Sequence, residues 1–358
     1  MKLYLTGGFL GSGKTTAIYN ACLELMNEGI QPAVITNDQG NELVDTQFIR
    51  CGKITAYEVP GGCFCCNYNE LEQHIQSLQQ THQPEIIFAE SVGSCTDLVA
   101  TVIKPFLKFH PQIEVVLSVF ADAGVLSALI QGSPLFAESV NYIYKKQLEE
   151  ADVLVINKID LLTKQELKEI QVVIEKEYRN KIIIYQNSLE RDCIQKWISL
   201  LEEFQPKARK SLNLDYVIYG AGEAELGWLD AEIDIYSTEQ SAVSSAIALI
   251  NKIYSQIYNL QLSIGHLKFL INDGAYQKKI SFTSINNQSI LENELIEFDR
   301  KKLKLIINAR VQSGPGQLEK IVSDAIRELK IQTDCEVIES RMSAFKPGYP
   351  EPTYKILD

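Results

Sequence analysis

Gly8-Phe9-Leu10-Gly11-Ser12-Gly13-Lys14-Thr15 has the spacing G-x-x-x-x-G-K-T. Its chemistry is phosphate binding. Glycines let the backbone wrap tightly, so that successive N–H groups converge on phosphate oxygens. Lys14 brings a charge to the β- and γ-phosphates, and the Thr15 hydroxyl is a Mg²⁺ ligand. Gly8, Gly11, Ser12, Gly13 and Thr16 complete the expected cradle. The flanks agree with this reading. Lys2 to Thr6 reads as a strand, and Thr15 to Glu28 as a helix stopped by Gly29 at C′.

Three further groups could carry chemistry. Asn157-Lys158-Ile159-Asp160 follows the apolar run Val153–Ile156. An N-K-x-D after a strand, downstream of a phosphate loop, is a guanine-reading element. The Asp160 carboxylate can accept from the ring N–H and the exocyclic amine of guanine, a donor pair adenine lacks. Asn187-Ser188 either adds base contacts or is a simple loop.

Glu90-Ser91-Val92-Gly93 follows the strand Ile86–Ala89. Glu90 can hold Mg²⁺ through water or orient the attacking water, and the Gly93 N–H can approach a γ-phosphate. Asp122 ends another strand, where a second functional carboxylate and a helix N-cap are both open readings. Asn37-Asp38-Gln39-Gly40, with Glu42 and Asp45, lies where a segment could reach over the γ-phosphate and rearrange on hydrolysis. From spacing alone a polar turn is narrowly the better reading.

Cys63-Phe64-Cys65-Cys66 follows Pro60-Gly61-Gly62. Asn67 and Glu70 resemble a capping pair for a helix over Tyr68–Leu78. The thiols then sit at a helix N-terminus, which favours thiolates. Three thiolates make a soft site suited to Zn²⁺ or another late first-row ion. A redox cluster and plain burial are the rivals. A closed zinc site needs a fourth ligand; Asp38, Glu42, His74, water or a partner's side chain could serve. The remaining cysteines, Cys22, Cys51, Cys95, Cys193 and Cys335, read as small buried hydrophobes.

These groups need a scaffold. Pro32–Thr36, Ile54–Val59, Glu85–Ala89, Val115–Phe120, Val153–Ile156 and Lys181–Tyr185 are apolar runs separated by helical patterns. Continuous apolar strands alternating with helices predict an α/β fold, a parallel sheet with helices on both faces. Ligands then bind at the carboxyl ends of the strands, where every motif above falls. We expect this P-loop NTPase domain over 1–205, a linker over 206–230, a smaller C-terminal α+β domain of ferredoxin-like kind over 231–345, and an extended tail over 346–358. In the second domain Ala231–Tyr236, Leu267–Ile271, Lys279–Thr283 and Lys302–Ala309 read as strands, and Ala242–Tyr258 and Gln317–Leu329 as helices. Trp228 is placed at the domain junction or facing a partner.

The 358 residues exceed what one core usually serves, and 46% hydrophobic content suffices for two. A net charge of −12 excludes a broad nucleic-acid surface, which needs a basic face. No apolar run can span a bilayer, and Leu3–Leu5 is too short for a secretory signal. A cytoplasmic protein without nucleic-acid or membrane partners is expected.

Four motifs together, GGFLGSGKTT, GGCFCC, ESVG and NKID, resemble the CobW-like metallochaperone GTPases, relatives of UreG and HypB. The resemblance covers roughly residues 1–205, and its most specific part is the cysteine motif. It implies GTP hydrolysis at Lys14, Thr15 and Glu90, guanine reading at Asn157, Lys158 and Asp160, and metal at Cys63, Cys65 and Cys66. It also raises Asp38 and Asp45, since the family usually has Asn-Glu-Phe-Gly with an Asp shortly after. Here Asp38 replaces that Glu, and Gln39 the aromatic. The C-terminal half departs from the family, and no histidine-rich tract is present. The implied activity is a GTPase that uses Mg²⁺ and delivers zinc or cobalt to a client metalloprotein; a homodimer is compatible with it. Repair of a corrinoid or other metallocofactor enzyme is the alternative, as is a non-enzymatic metal sensor that binds GTP.

Overall fold

A computed structural model describes residues 1–40, 44–133, 135–237, 241–274, 277–285 and 301–358. Glu42 lies outside the described residues. The chain runs β1 (Lys2–Gly8), α1 (Lys14–Asn27), β2 (Ala33–Asn37), α2 (Val44–Cys51), β3 (Thr55–Val59), α3 (Tyr68–Thr81), β4 (Ile86–Glu90), α4 (Lys104–Phe109), β5 (Glu114–Asp122), α5 (Ala123–Ile130), α6 (Glu138–Glu150), β6 (Val153–Asn157), α7 (Lys164–Glu177), β7 (Ile182–Gln186), α8 (Arg191–Glu203) and α9 (Tyr216–Ala224). Then come β8 (Leu226–Ser237), α10 (Ala242–Asn259), β9 (Ile264–Asn272), β10 (Gln277–Phe282), β11 (Lys302–Gln312), α11 (Pro315–Gln332) and β12 (Cys335–Phe345).

Contacts divide the chain into two units. The first holds 1–39, 49–222 and 348–358; the second holds 40–48 and 223–347. Among the described residues, the first unit carries a seven-stranded parallel sheet in the order β3-β2-β4-β1-β5-β6-β7. Alternation along β1 sends Tyr4 into a core with Ile18 and Leu25 of α1 and with Ile194 and Trp197 of α8. Leu3 and Leu5 are buried as well, and α6 packs on that strand and on β5. Both faces are therefore covered, which is why the strands are nearly all apolar. β1 lies between β4 and β5, so the chain reverses its direction of travel beside the β1 carboxyl end. That is where open α/β sheets bind ligands.

In the second unit the order is β10-β9-β11-β8-β12, antiparallel throughout. β8-α10-β9 and β11-α11-β12 are two split βαβ units, the ferredoxin-like arrangement, with β10 added at the edge. Both helices bury apolar faces, including Ile250, Ile253, Val322 and Ile326, on that sheet. Asp45 of α2 belongs to this unit, ion-paired with Lys268 at 2.5 Å and Lys279 at 2.8 Å. Burial would raise its carboxyl, but the two ammonium groups outweigh that and hold it well below the ordinary carboxylate range.

Several expectations need correction. Residues 216–224, expected within a connection, form α9, where Tyr219 is buried with Ile143 and Leu214. Strand β12 has no apolar run to mark it, because Glu336, Ser340 and Arg341 are exposed and even Glu339, opposite Ile233, stays at the surface. Trp228 is fully buried and leaves no exposed face for a partner, its ring 4.1 Å from the Arg310 guanidinium. Asn67 makes no side-chain cap bond; its amide donates to the Pro60 carbonyl at 3.1 Å, and Glu70 reaches His74 instead.

Candidate functional site

The loop between β1 and α1 folds around Lys14. Its Nζ donates to the carbonyls of Gly8 at 2.7 Å and Phe9 at 3.3 Å. The side chain is only 5% exposed, and a buried ammonium favours an anion beside it. Gly13 caps α1 with φ 91°, and a Cβ there would stand 2.4 Å from Asn157 Nδ2. Only glycine fits both conditions. Ser12 Oγ is buried without a hydrogen-bond partner among the described residues, an orphan hydroxyl on the loop that an anion's oxygen could satisfy.

On the neighbouring strand, Glu90 Oε1 accepts from the Thr15 hydroxyl at 2.9 Å. Both are buried hard-oxygen donors, a pair that fits Mg²⁺. Just beyond, Gly93 lies so close to the loop that a Cβ would be 2.9 Å from Leu10 N. Thus the segment after β4 touches the phosphate loop at its backbone.

The N-K-x-D turn sits one strand past β5. Asn157 Nδ2 donates to the Ser12 carbonyl at 2.8 Å, while its Oδ1 accepts from Ser188 N at 3.1 Å and Ser188 Oγ at 2.8 Å. Lys158 adopts φ 64°, and its Nζ meets Asp122 at 2.8 Å. Asp122 also caps α5, accepting from the N–H groups of Gly124 and Val125. Its two open readings resolve into a cap that also braces Lys158. Asp160 is exposed on a single 3-10 turn, Ile159–Leu161, where its carboxylate faces solvent. Asn187 stays local, accepting from Leu189 N at 3.0 Å.

The cysteine loop joins β3 to α3. Sγ of Cys63 is 2.8 Å from that of Cys65 and 3.2 Å from that of Cys66. All three are free thiols within 4.8 Å of one another. A fourth sulfur lies beside them: Cys95 acts on the Cys63 and Cys65 thiols, outside the group of three whose sulfurs converge. Cys95 is buried, as expected of a small hydrophobe, and borders the cluster as well. Contacts from Cys65, Cys66 and Cys95 hold the Cys63 thiol well below its ordinary range. The same contact with Cys63 pushes Cys65 up, and lifts Cys66 to about 11. His74 is turned away, its Nε2 3.1 Å from the Glu58 carbonyl.

Residues outside the cysteine motif place this cluster. Asn37 donates to the carbonyls of Val59 at 2.8 Å and Gly62 at 2.6 Å and accepts from Phe64 N at 2.8 Å, tying the end of β2 to the cysteine loop. Asp38, next to it, is buried. Glu150, at the end of α6, accepts from Thr96 Oγ1, Asp97 N and Val99 N, which fixes the segment carrying Cys95. Burial pushes Glu150 up to about 7 against those bonds. Asp97 has φ 67° and is fully buried. Glu150 and Asp97 carry no signal in the sequence, whereas Asn37 and Asp38 lie in a stretch singled out by its residue types.

Residues 2–185 match the nucleotide-binding domain of CobW, HypB and UreG. The chain belongs to the CobW/HypB/UreG family. Zinc chaperone CobW of Sinorhizobium sp is 28% identical over 188 residues, 46% of this chain and 52% of that protein. Zinc chaperone YeiR of Escherichia coli (strain K12) is 28% identical over 174 residues, 47% of this chain and 49% of that protein. The chain spans about half the length of these curated relatives. Among solved structures, the hydrogenase maturation factor HypB from Archaeoglobus fulgidus aligns with a TM-score of 0.41 and 16% identity, over 56% of this chain and 89% of that one. The CobW/HypB/UreG match contains all four motif groups. No helix among the described residues is long and apolar enough to cross a membrane.

Proposed function

We propose that this protein is a GTP-hydrolysing metallochaperone that couples the state of its nucleotide to delivery of a transition metal, zinc or cobalt, to a client metalloprotein in the cytoplasm. One observation carries the reading. Glu90 bonds the Thr15 hydroxyl of the phosphate loop, and Cys95, five residues on, borders the Cys63, Cys65 and Cys66 thiols. A short segment thus joins the phosphate site to the thiols. The zinc-chaperone relatives support zinc as the ion.

In this reading Lys14 and the loop N–H groups bind the β- and γ-phosphates, and Asp160 reads guanine. Thr15 and Glu90 would hold Mg²⁺, which neutralises charge on the phosphates. Glu90, Asp38 or both orient the attacking water. Gly93 reports the γ-phosphate through its contact with Leu10. Its displacement on hydrolysis would draw Cys95 away from Cys63, Cys65 and Cys66. Taking a site from mostly loaded to mostly empty requires about 5 kcal/mol of differential affinity, and loss of one thiolate in four is a change of that class.

The test measures Zn²⁺ and Co²⁺ affinity of the full chain with GDP and with a non-hydrolysable GTP analogue. Affinities that differ by roughly a thousandfold or more are expected; equal ones remove the coupling. Lys14→Ala should lose phosphate release, and an inactive wild type would remove the hydrolase.

A further inference from the structure

Residues 348–358 return to the first unit and lie across the cysteine loop. Thr353 N donates to the Cys65 carbonyl at 2.8 Å, and its hydroxyl to the Cys66 carbonyl at 2.7 Å. Glu351 N–H donates to the Cys66 sulfur, and Ile356 N to the Ala100 carbonyl at 2.9 Å. Pro347, Pro350 and Pro352 keep the segment extended, so its main-chain groups are free to make such bonds. This is how extended peptides are recognised: main-chain hydrogen bonds hold the strand, and side-chain slots select it.

Two slots are built into the surface beneath. The ring of Tyr354 stands edge-on to Tyr68 at 5.0 Å and to Phe109 at 5.4 Å. Lys355 Nζ lies 3.9 Å from the centre of the Tyr216 ring and 3.3 Å from Asp97 Oδ2. That second slot is a cation box, since Tyr216 also donates to the same Asp97 oxygen at 2.8 Å. Asp97 is fully buried, and its other oxygen, Oδ1, has no hydrogen-bond partner among the described residues. A lysine is a point charge and serves one oxygen here. A guanidinium offers a planar fork that can serve both. Most side chains of the segment remain exposed, Tyr354 at 37% and Leu357 at 61%, so little apolar area holds it down.

We propose that the surface under residues 348–358 is a peptide-docking groove beside the thiol cluster, covered by the chain's own segment until an extended client segment with an aromatic residue followed by arginine replaces it. Cys66 is the one thiol of its loop that is not fully buried, and it lies directly below Glu351. Displacing the cover would therefore open that sulfur while bringing the client alongside it. The identity of the occupant as a metal-receiving client rests on the delivery reading; the groove itself does not.

The test uses the full chain free of metal. Alkylation of Cys66 by iodoacetamide is followed by peptide mass spectrometry in wild type, Lys355→Ala and Lys355→Arg. Removing the cation should speed labelling several-fold, and arginine should slow it below wild type. A fluorescent peptide of residues 351–358 carrying K355R should bind the Lys355→Ala protein roughly tenfold tighter than the unsubstituted peptide. Equal labelling rates in all three proteins, or no difference between the two peptides, would overturn the groove. Zinc transfer to a chromophoric chelator is measured separately. Absence of zinc binding with these rates intact would remove the client's metal and leave the groove standing.

Discussion

Asn157 Nδ2 donates to the Ser12 carbonyl at 2.8 Å, across 145 residues of sequence. Its Oδ1 accepts twice from Ser188. One amide therefore locks the phosphate loop to the base-reading turn and to the turn after β7. Truncation leaves buried groups on both sides without partners. Asn157→Ala should weaken GTP and GDP alike by roughly 10–100-fold, because each orphaned buried group costs about 1–3 kcal/mol. Isothermal titration with both nucleotides checks this; unchanged affinity would remove the bracing role.

Asp160 is exposed beside that lock, so its substitution should alter selectivity and leave the fold alone. Asp160→Asn presents an amide N–H where guanine presents its own donors. Loss of about 1.5–3 kcal/mol per charge-assisted bond predicts GTP affinity roughly 10–100-fold lower. Xanthosine triphosphate, with a carbonyl in place of the exocyclic amine, should gain. Competition between the two nucleotides reads the result directly, and a variant that still prefers GTP would remove guanine reading from Asp160.

Cys95 is expected to count among the sulfurs around a bound ion. With Co²⁺ as probe, the thiolate charge-transfer absorption of Cys95→Ser should fall by roughly a quarter, as one sulfur in four is replaced. A spectrum identical to wild type would return the site to three cysteines and another ligand.

Glu150 makes a pH prediction. Its carboxyl lies near 7 in the folded protein against an ordinary 4.5, so the folded state binds its proton more tightly. Its contribution to stability is full below pH 4.5 and is lost as pH rises through 7. The stability difference between wild type and Glu150→Gln should shift by about 3 kcal/mol between pH 4.5 and 8, to the detriment of wild type at the higher pH. Urea unfolding at the two pH values measures it, and a pH-independent difference would contradict the raised value.

Asp45 anchors α2 to Lys268 and Lys279. Asp45→Asn leaves two largely buried ammonium groups without their counter-charge, and should cost about 3–5 kcal/mol. Since the folded carboxyl is held low, the wild-type pair is fully present above pH 4 and lost as pH falls further. Thermal unfolding of the variant at pH 7 tests the pair; a midpoint within a degree of wild type would show that it contributes little.

Local pattern reached far in this chain. Every strand of the parallel sheet showed as an apolar run, because burial on both faces leaves no polar alternation to confuse the period. Capping was less legible: Asn67 and Glu70 have the right types and spacing, yet each found a better partner outside the helix terminus. The strand over 335–345 was hidden by its exposed charges, since a sheet edge needs only one apolar face.

By itself the sequence determined the phosphate loop, the N-K-x-D turn and the cysteine loop as local units, since each is a contiguous stretch whose conformation depends on neighbours along the chain. Tertiary structure decided what they share. Cys95 borders the thiol cluster because the carboxyl ends of β3 and β4 lie on one edge, with β2 between them. Glu150 holds the Cys95 segment from the end of a helix more than fifty residues away. The segment over 348–358 lies on Cys65 and Cys66 from the far end of the chain. Such relations depend on strand order and chain return, for which no residue's neighbours carry a code.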